Sequence, residues 1–394
     1  MKNWIPERLT ELDLEQLQAW RHDVHRHPEI SGEEQETARK VRSMLAPTLP
    51  DQVISDLGGH GVAAVYDSKA PGPTVLFRSE TDALPIQELG DIAHRSVVPG
   101  KSHLCGHDGH SAILLGLARL LGRSRPLKGR VVLMFQPAEE DGSGAAAVIA
   151  DPRYESIRPD FAFSLHNMPG HAMGEGYISA GPANCASRGI RVRLTGSTAH
   201  AAQPEKGRSP MRAIASLMPA FEDCSSRTAL GPGFSLVTVT HTHMGEPVYG
   251  IAPGHAEIRA TLRTVGDDEM GALCARVEAL AVEAARASNL ACEIDYADVF
   301  LACTNDATAV DYLRQGMDRA GVVHHDKPEP QRASEDFGRF GHTAKAAMVV
   351  LGAGMDTPAV HTPTYDFPDE LIAPGVRLFS ETLAAVMDGH RSKS

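Results

Sequence analysis

The stretch Cys105-Gly106-His107-Asp108-Gly109-His110 places one thiol, two imidazoles and one carboxylate within six residues. Glycines at 106 and 109 let the backbone bend closely around whatever those side chains hold. The apolar run Ser111 to Leu121 follows at once and predicts a helix. A thiol and an imidazole two residues apart at the mouth of a helix suit one arm of a metal site. A reactive or structural cysteine in a polar turn is the alternative. The rest of the chain has to supply the other ligands.

Outward from this hexamer, short apolar runs bounded by glycine and proline predict buried strands over 61–66, 74–77, 131–135, 161–165 and 346–351. The second runs into Arg78-Ser79-Glu80-Thr81-Asp82, whose two carboxylates either orient a ligating imidazole or face solvent. The third runs into Gln136-Pro137-Ala138-Glu139-Glu140-Asp141-Gly142-Ser143-Gly144. Adjacent side chains of an extended segment point to opposite sides. Glu139 and Glu140 therefore divide two tasks, one ligating a metal and the other facing a substrate as base. The fourth run ends in His166-Asn167, and His361 lies in a loop beyond the fifth.

Apolar spacing predicts helices over 9–27, from a Ser31 cap to about Leu45, over 307–320 and over 370–387. The first two read as a surface helical pair. From about Ala186 the pattern changes. Strands with one exposed face are expected at 190–194, 234–240, 255–263 and 292–296, with helices over 210–222 and 267–288. Strand-helix-strand-strand-helix-strand makes a split-βαβ unit. The expected fold class is α/β: a catalytic domain, 1–185 and 299–394, with a mixed central sheet flanked by helices, and an inserted α+β dimerisation domain, 186–298.

With 394 residues, 42% of them hydrophobic, the chain can fill two cores. A net charge of −12 without a basic block argues against nucleic-acid binding. No stretch approaches the length of a membrane span, and the N-terminus lacks the apolar core of a signal peptide. The six cysteines are scattered without a disulfide framework, so a reducing, cytoplasmic setting is expected.

Cys105, His107, Glu140, His166 and His361 are the candidate metal ligands. Open α/β sheets gather such strand-end residues at one edge. The set exceeds the roughly three protein ligands of one catalytic zinc. It suits two divalent ions that share a ligand, and a thiolate, Cys105, can bridge. Two divalent cations against one thiolate and one carboxylate leave the site net positive, suited to a hydroxide and a carbonyl-bearing substrate. Glu139, off the metals, can take a proton from the bridging water and pass it to a leaving nitrogen. The derived reaction is metal-assisted hydrolysis of an amide-like bond. Mn, Zn, Co and Ni all suit this mixture of sulfur, nitrogen and oxygen donors. Asp108 either caps the following helix or orients His107, and His110 supports a ligand or the helix start.

These motifs together resemble the aminoacylase, hippurate hydrolase and indoleacetyl-amino-acid hydrolase group of dinuclear metallopeptidases. The resemblance runs in order over nearly the full length. It includes Arg26-His27-Pro28-Glu29, Asp82-Ala83-Leu84-Pro85, the opening hexamer, Gln136-Pro137-Ala138-Glu139-Glu140, Leu165-His166-Asn167 and Ser334-Glu335-Asp336-Phe337. It implies Cys105, His107, Glu140, His166 and His361 as ligands, Glu139 as general base, and a homodimer formed through the inserted domain. It also implies that a histidine of that domain, matched by His200, reaches the partner's active site. Glu80 joins Glu139 and His200 among the catalytic candidates. His200, Asn167, Arg263 and Gly250 are the candidate substrate contacts.

The chain departs from these relatives at three places. Glu80 stands where a shorter carboxylate is common. Gln203-Pro204-Glu205 replaces Met-Pro-His, and Gly250 replaces an asparagine. The implied substrate is a small N-acyl or N-aroyl amino acid. The departures keep open a dipeptidase or a hydrolase of an aromatic-amine substrate such as aminobenzoyl-glutamate. A metal-binding protein without catalysis is the more distant alternative.

Overall fold

A computed structural model of the chain describes residues 4, 6–226, 228–327 and 329–389. The chain divides into two compact units. One comprises Met1–Ala183, Thr304–Pro328 and Asp336–Ser394, and the other Asn184–Cys303 and Glu329–Glu335.

The first unit is built on an eight-stranded mixed sheet. Strands β1 (Gln52–Leu57), β2 (Gly61–Asp67) and β4 (Arg130–Gln136) pair antiparallel along one side. Strand β3 (Thr74–Glu80) lies parallel to β4 and to β5 (Phe161–Met168), and Lys345–Gly352 continues the parallel set beside β5. Short strands at 176–177 and 324–325 complete the far edge. All seven residues of β3 are buried. Its lack of alternation follows from burial on both faces.

Helix α1 (Glu11–Arg26) starts in a reciprocal capping box between Thr10 and Asp13. It packs on α3 (His107–Arg123) and buries Leu17, Trp20 and Val24. Helix α2 (Gln35–Leu45) buries Thr37, Ala38, Val41 and Leu45. The expectation of a surface helical pair is corrected here. Each helix buries a full face, and the pair brings the charged side chains of Arg21, His25 and Glu34 into the interior. Ser31 does not cap α2; its hydroxyl donates instead to Asp82 Oδ2 at 2.8 Å.

Asp108, on the first turn of α3, neither caps that helix nor orients His107. Its Oδ2 accepts from Arg21 at 3.1 Å and from His25 Nδ1 at 2.9 Å. The other nitrogen of His25 lies 3.3 Å from Glu88 Oε1. Burial favours the neutral ring, but the bonds to Asp108 and Glu88 outweigh it and raise the His25 pKa to about 9. The folded state thus holds this proton more tightly than the unfolded chain. The associated stabilisation, about 2–4 kcal/mol, is fully present below about pH 6.5 and is lost as pH rises through about 9. Urea midpoints between pH 6 and 10 should fall more steeply for the native chain than for His25→Gln. Parallel curves would show that His25 is not the group involved.

The second unit has a four-stranded antiparallel sheet, with Ser235–Met244, His255–Thr264, Ala186–Thr195 and Ala291–Phe300 in spatial order. Helices Met211–Glu222 and Asp267–Ala287 share a core with it through Ile214, Leu217, Phe221, Val277 and Ala281. Residues 329–335 belong to this unit rather than to the 299–394 segment. The Cys185 N–H donates to the Gln331 carbonyl at 3.0 Å, and Arg263 donates to the Arg332 carbonyl at 2.9 Å. Arg332 also lies over the Phe234 ring at 5.5 Å, and the sequence pattern carries no trace of this return because its partners are far apart in the chain.

Candidate active site

Parallel strands deliver their C-terminal ends to one edge of a sheet, and β3, β4, β5 and Lys345–Gly352 are parallel. Beyond those ends lie Asp82, Glu139 with Glu140, and His361, while His166 sits near the end of β5. Helix α3 begins at His107. Its N-terminal neighbour Gly106 has φ +101°, and a Cβ there would collide with the Asn167 amide. Only glycine accommodates that conformation without strain in such a close approach.

Two groups of three donors form around Cys105, one with His107 and His166 and the other with Glu140 and His361. The Cys105 sulfur lies 3.4 Å from His166 Nε2 and 3.4 Å from His361 Nε2. His361 Nε2 is 3.5 Å from Glu140 Oε1, which in turn is 3.8 Å from His107 Nε2. The tautomers suit ligation. His107 Nδ1 donates to the Asp82 carbonyl at 2.9 Å, and His166 Nδ1 donates to the Asn167 carbonyl at 2.7 Å. Each ring therefore turns Nε2 toward the cluster.

These residues fit a pair of divalent cations. His107 Nε2 and Glu140 Oε1 are buried and have no hydrogen-bond partner among the described residues, a costly arrangement unless something else pairs with them. Burial alone would keep the His107 ring neutral. The Asp82 and Glu140 carboxylates overcome this and raise its pKa to about 9, so the surroundings favour positive charge. His361 has φ +64°, unusual for a residue with a Cβ, and its N–H donates to the Leu104 carbonyl at 2.7 Å. That bond ties the His361 loop to the residue preceding Cys105.

The family model described as peptidase family M20/M25/M40 matches residues 76–385. The chain belongs to this family. It is a metal-dependent amidohydrolase. It is 29% identical over 378 residues to a hippurate hydrolase of Campylobacter jejuni, covering 94% of this chain and 96% of that one. It is also 29% identical over 386 residues to an N-acetyl-L-cysteine deacetylase of Bacillus subtilis, covering 98% and 91% of the two chains. A Bacillus subtilis crystal structure described as a dinuclear metal-binding peptidase of the M20 family superposes with a TM-score of 0.79 at 25% identity, covering 96% and 99%.

In this M20 chain the carboxylate on His107 is Asp82, not Glu80. Asp82 Oδ1 lies 3.2 Å from His107 Nδ1, and Oδ2 accepts the Glu140 N–H at 2.9 Å. One carboxylate thus fixes two candidate ligands. Glu80, the last residue of β3, bonds to Arg78 and accepts from His110 Nδ1 at 2.7 Å. The Glu80 carboxylate, His107 and His110 lie with their donor atoms within 4.8 Å of one another, so Glu80 stays beside the ligand candidate His107 while bonding to His110. Asp82→Ala should weaken metal binding about 10–100-fold, measured by titrating the ion into apo protein. Unchanged affinity would remove Asp82 from this role.

Asn167 is fully buried. Its amide contacts His110 Nε2 at 2.6 Å and the Tyr365 hydroxyl at 2.5 Å. A substrate-contact role does not fit this placement, because both ends of the amide face protein. Glu139 is buried beside the ligand candidates, with Oε2 3.9 Å from His107 Nε2 and Oε1 accepting the Asp336 N–H at 3.4 Å. Asp336 is anchored in turn by Gln136 Nε2 at 2.7 Å, the Ala145 N–H at 2.8 Å and Arg78 at 2.5 Å. The motifs at 136–140 and 334–337 therefore meet through Asp336, a pairing that their separation in sequence conceals.

The remaining candidates lie in the second unit. His200 and Gly250 are exposed neighbours on a two-stranded ribbon. Ile251 pairs with His200, and the Ala201 N–H donates to the Gly250 carbonyl at 3.0 Å. The Arg263 guanidinium is engaged by the Arg332 carbonyl and by the Ser334 hydroxyl at 3.4 Å.

Proposed function

We propose that the chain hydrolyses the amide bond of N-acyl or N-aroyl amino acids, with Cys105 shared between two divalent cations. His107 and His166 would complete one site, and Glu140 and His361 the other. The observation that carries this is the pair of three-donor groups meeting at Cys105, with Glu139 beside them. The printed activities of the hippurate hydrolase and N-acetyl-L-cysteine deacetylase relatives support the substrate class.

When bound, the cations supply Lewis-acid polarisation of the substrate carbonyl and make water more acidic. The chain supplies the rest. Glu139 accepts a proton from the attacking water at its carboxylate and returns it to the leaving nitrogen. The Asp336 N–H holds Glu139 Oε1, so the other oxygen faces the reacting groups. Asp82 keeps His107 and Glu140 aligned while charge develops. His200 is proposed to reach the active site of a second copy, across a dimer formed by the second unit. The outer strand Ser235–Met244 supports this, since it is a sheet edge with mostly exposed side chains. The donor set accepts Mn²⁺, Zn²⁺, Co²⁺ or Ni²⁺. No described helix is long and apolar enough to cross a membrane. Six cysteine thiols suit the reducing cytoplasm.

Apo protein reloaded with each of these ions should be assayed on hippurate, N-acetyl-amino acids, aminobenzoyl-glutamate and dipeptides. Preferential cleavage of hippurate or an N-acetyl-amino acid is the expected result. Preference for aminobenzoyl-glutamate would narrow the class to that aroyl amino acid, preference for dipeptides would move it, and no hydrolysis with any ion would overturn the proposal.

A further inference from the structure

The turn that carries Glu139 and Glu140 is held from outside by backbone contacts. Ala138, just before them, has φ +50°, a conformation that residues with a Cβ seldom adopt. Within the turn, the Gly144 N–H donates to the Ala138 carbonyl at 2.8 Å and the Gly142 N–H to the Glu139 carbonyl at 2.9 Å. The Ala138 N–H instead donates to Glu34 Oε1 at 2.8 Å. Glu34 directly precedes α2 and is wholly buried.

A buried carboxylate is an expensive way to start a helix, since an apolar side chain would pack there without desolvation cost. Burial and the nearby Asp82 charge push the Glu34 carboxyl up to about 7, against the N–H groups of Glu34, Ala138 and Gly32. Helix capping does not account for it, because Glu34 makes no side-chain cap bond. The same short segment also supplies Ser31, whose hydroxyl fixes Asp82 Oδ2, the atom that accepts the Glu140 N–H. The 31–34 segment thus holds the Ala138 N–H directly through Glu34 and the Glu140 N–H indirectly through Asp82.

We infer that Glu34 is a positioning residue, whose acceptor on the Ala138 N–H sets the strained turn that aims Glu139 and Glu140. This rests on the roles proposed above for those two glutamates.

Glu34→Met keeps the length and removes the acceptor, whereas Glu34→Gln keeps an acceptor and removes the charge. Glu34→Met should lower kcat about 10²-fold with KM within about twofold of the native value. It should also weaken one of two Co²⁺ equivalents titrated into apo protein about tenfold. Glu34→Gln should restore both kcat and Co²⁺ affinity. If Glu34→Met does not fold, Glu34→Ala carries the same comparison. Native kcat and native Co²⁺ affinity in the Met variant would overturn the inference. So would equal losses in the Gln and Met variants, which would implicate charge instead of the acceptor. Should the native protein cleave no acyl amino acid while Glu34→Met still loses one Co²⁺ equivalent, the substrate class fails and the positioning role stands.

Discussion

Glu139→Gln should lower kcat about 10³-fold and leave two equivalents of metal bound. Glutamine keeps the size and one acceptor oxygen, so the bond from the Asp336 N–H to position 139 can persist. What disappears is the ability to accept a proton from water and return it to the leaving nitrogen. The ligand candidates Cys105, His107, Glu140, His166 and His361 are untouched. Metal content by elemental analysis should therefore match the native protein while turnover collapses. Comparable losses of metal and activity would mean that Glu139 is itself a ligand, in keeping with its position 3.9 Å from His107 Nε2. Full activity would remove it as the base.

Cys105→Ser should cost metal affinity at both positions, because both three-donor groups include Cys105. A hydroxyl stays protonated where a thiol ionises, so the variant loses both the bridging anion and the softer donor. The expected weakening exceeds the roughly 10–100-fold cost of losing an outer partner of a ligand. Stability should change less, since the side chain is small and the surrounding core includes Leu104, Leu165 and Tyr365. Calorimetric titration of apo protein with Zn²⁺ or Co²⁺ reads the first effect, and urea unfolding of apo protein the second. If the serine variant keeps two tight equivalents and full activity, the shared thiolate is wrong. If only one equivalent is lost, Cys105 serves a single cation.

The two variants separate what a ligand does from what a base does, which a chelation experiment cannot. Glu139→Gln should spare metal, whereas Cys105→Ser should remove it with its companion ligands intact.

Much of this was legible in the chain itself. Unbroken apolar runs such as 131–135 predict buried strands because a strand covered on both faces has no solvent side to pattern. Alternation beyond Ala186 marks the separate antiparallel unit for the complementary reason. Cysteine, histidine and glutamate at the ends of those runs pointed to a metal site, because parallel strands have to present their ends together. The family resemblance rests on the same residues, and the match to the family over 76–385 accords with it.

Other features depend on contacts between distant segments. Glu80 and Asp82 are both carboxylates at one strand end, and composition cannot rank them; the side-chain lengths and the positions of His107 and His110 do. Asp108 looks like a helix cap from its place on α3, but Arg21 and His25 on α1 take its carboxylate. Asn167 looks like an available donor until His110 and Tyr365 close around it. Glu34 looks like a solvated charge among other acids until the Ala138 N–H arrives from more than a hundred residues away. The sequence by itself determined which side chains can bind metal and move a proton, since those capacities are properties of residue type and local pattern. Only the tertiary structure decided which carboxylate holds which imidazole, because a hydrogen bond depends on separations of a few ångströms that chain order does not record.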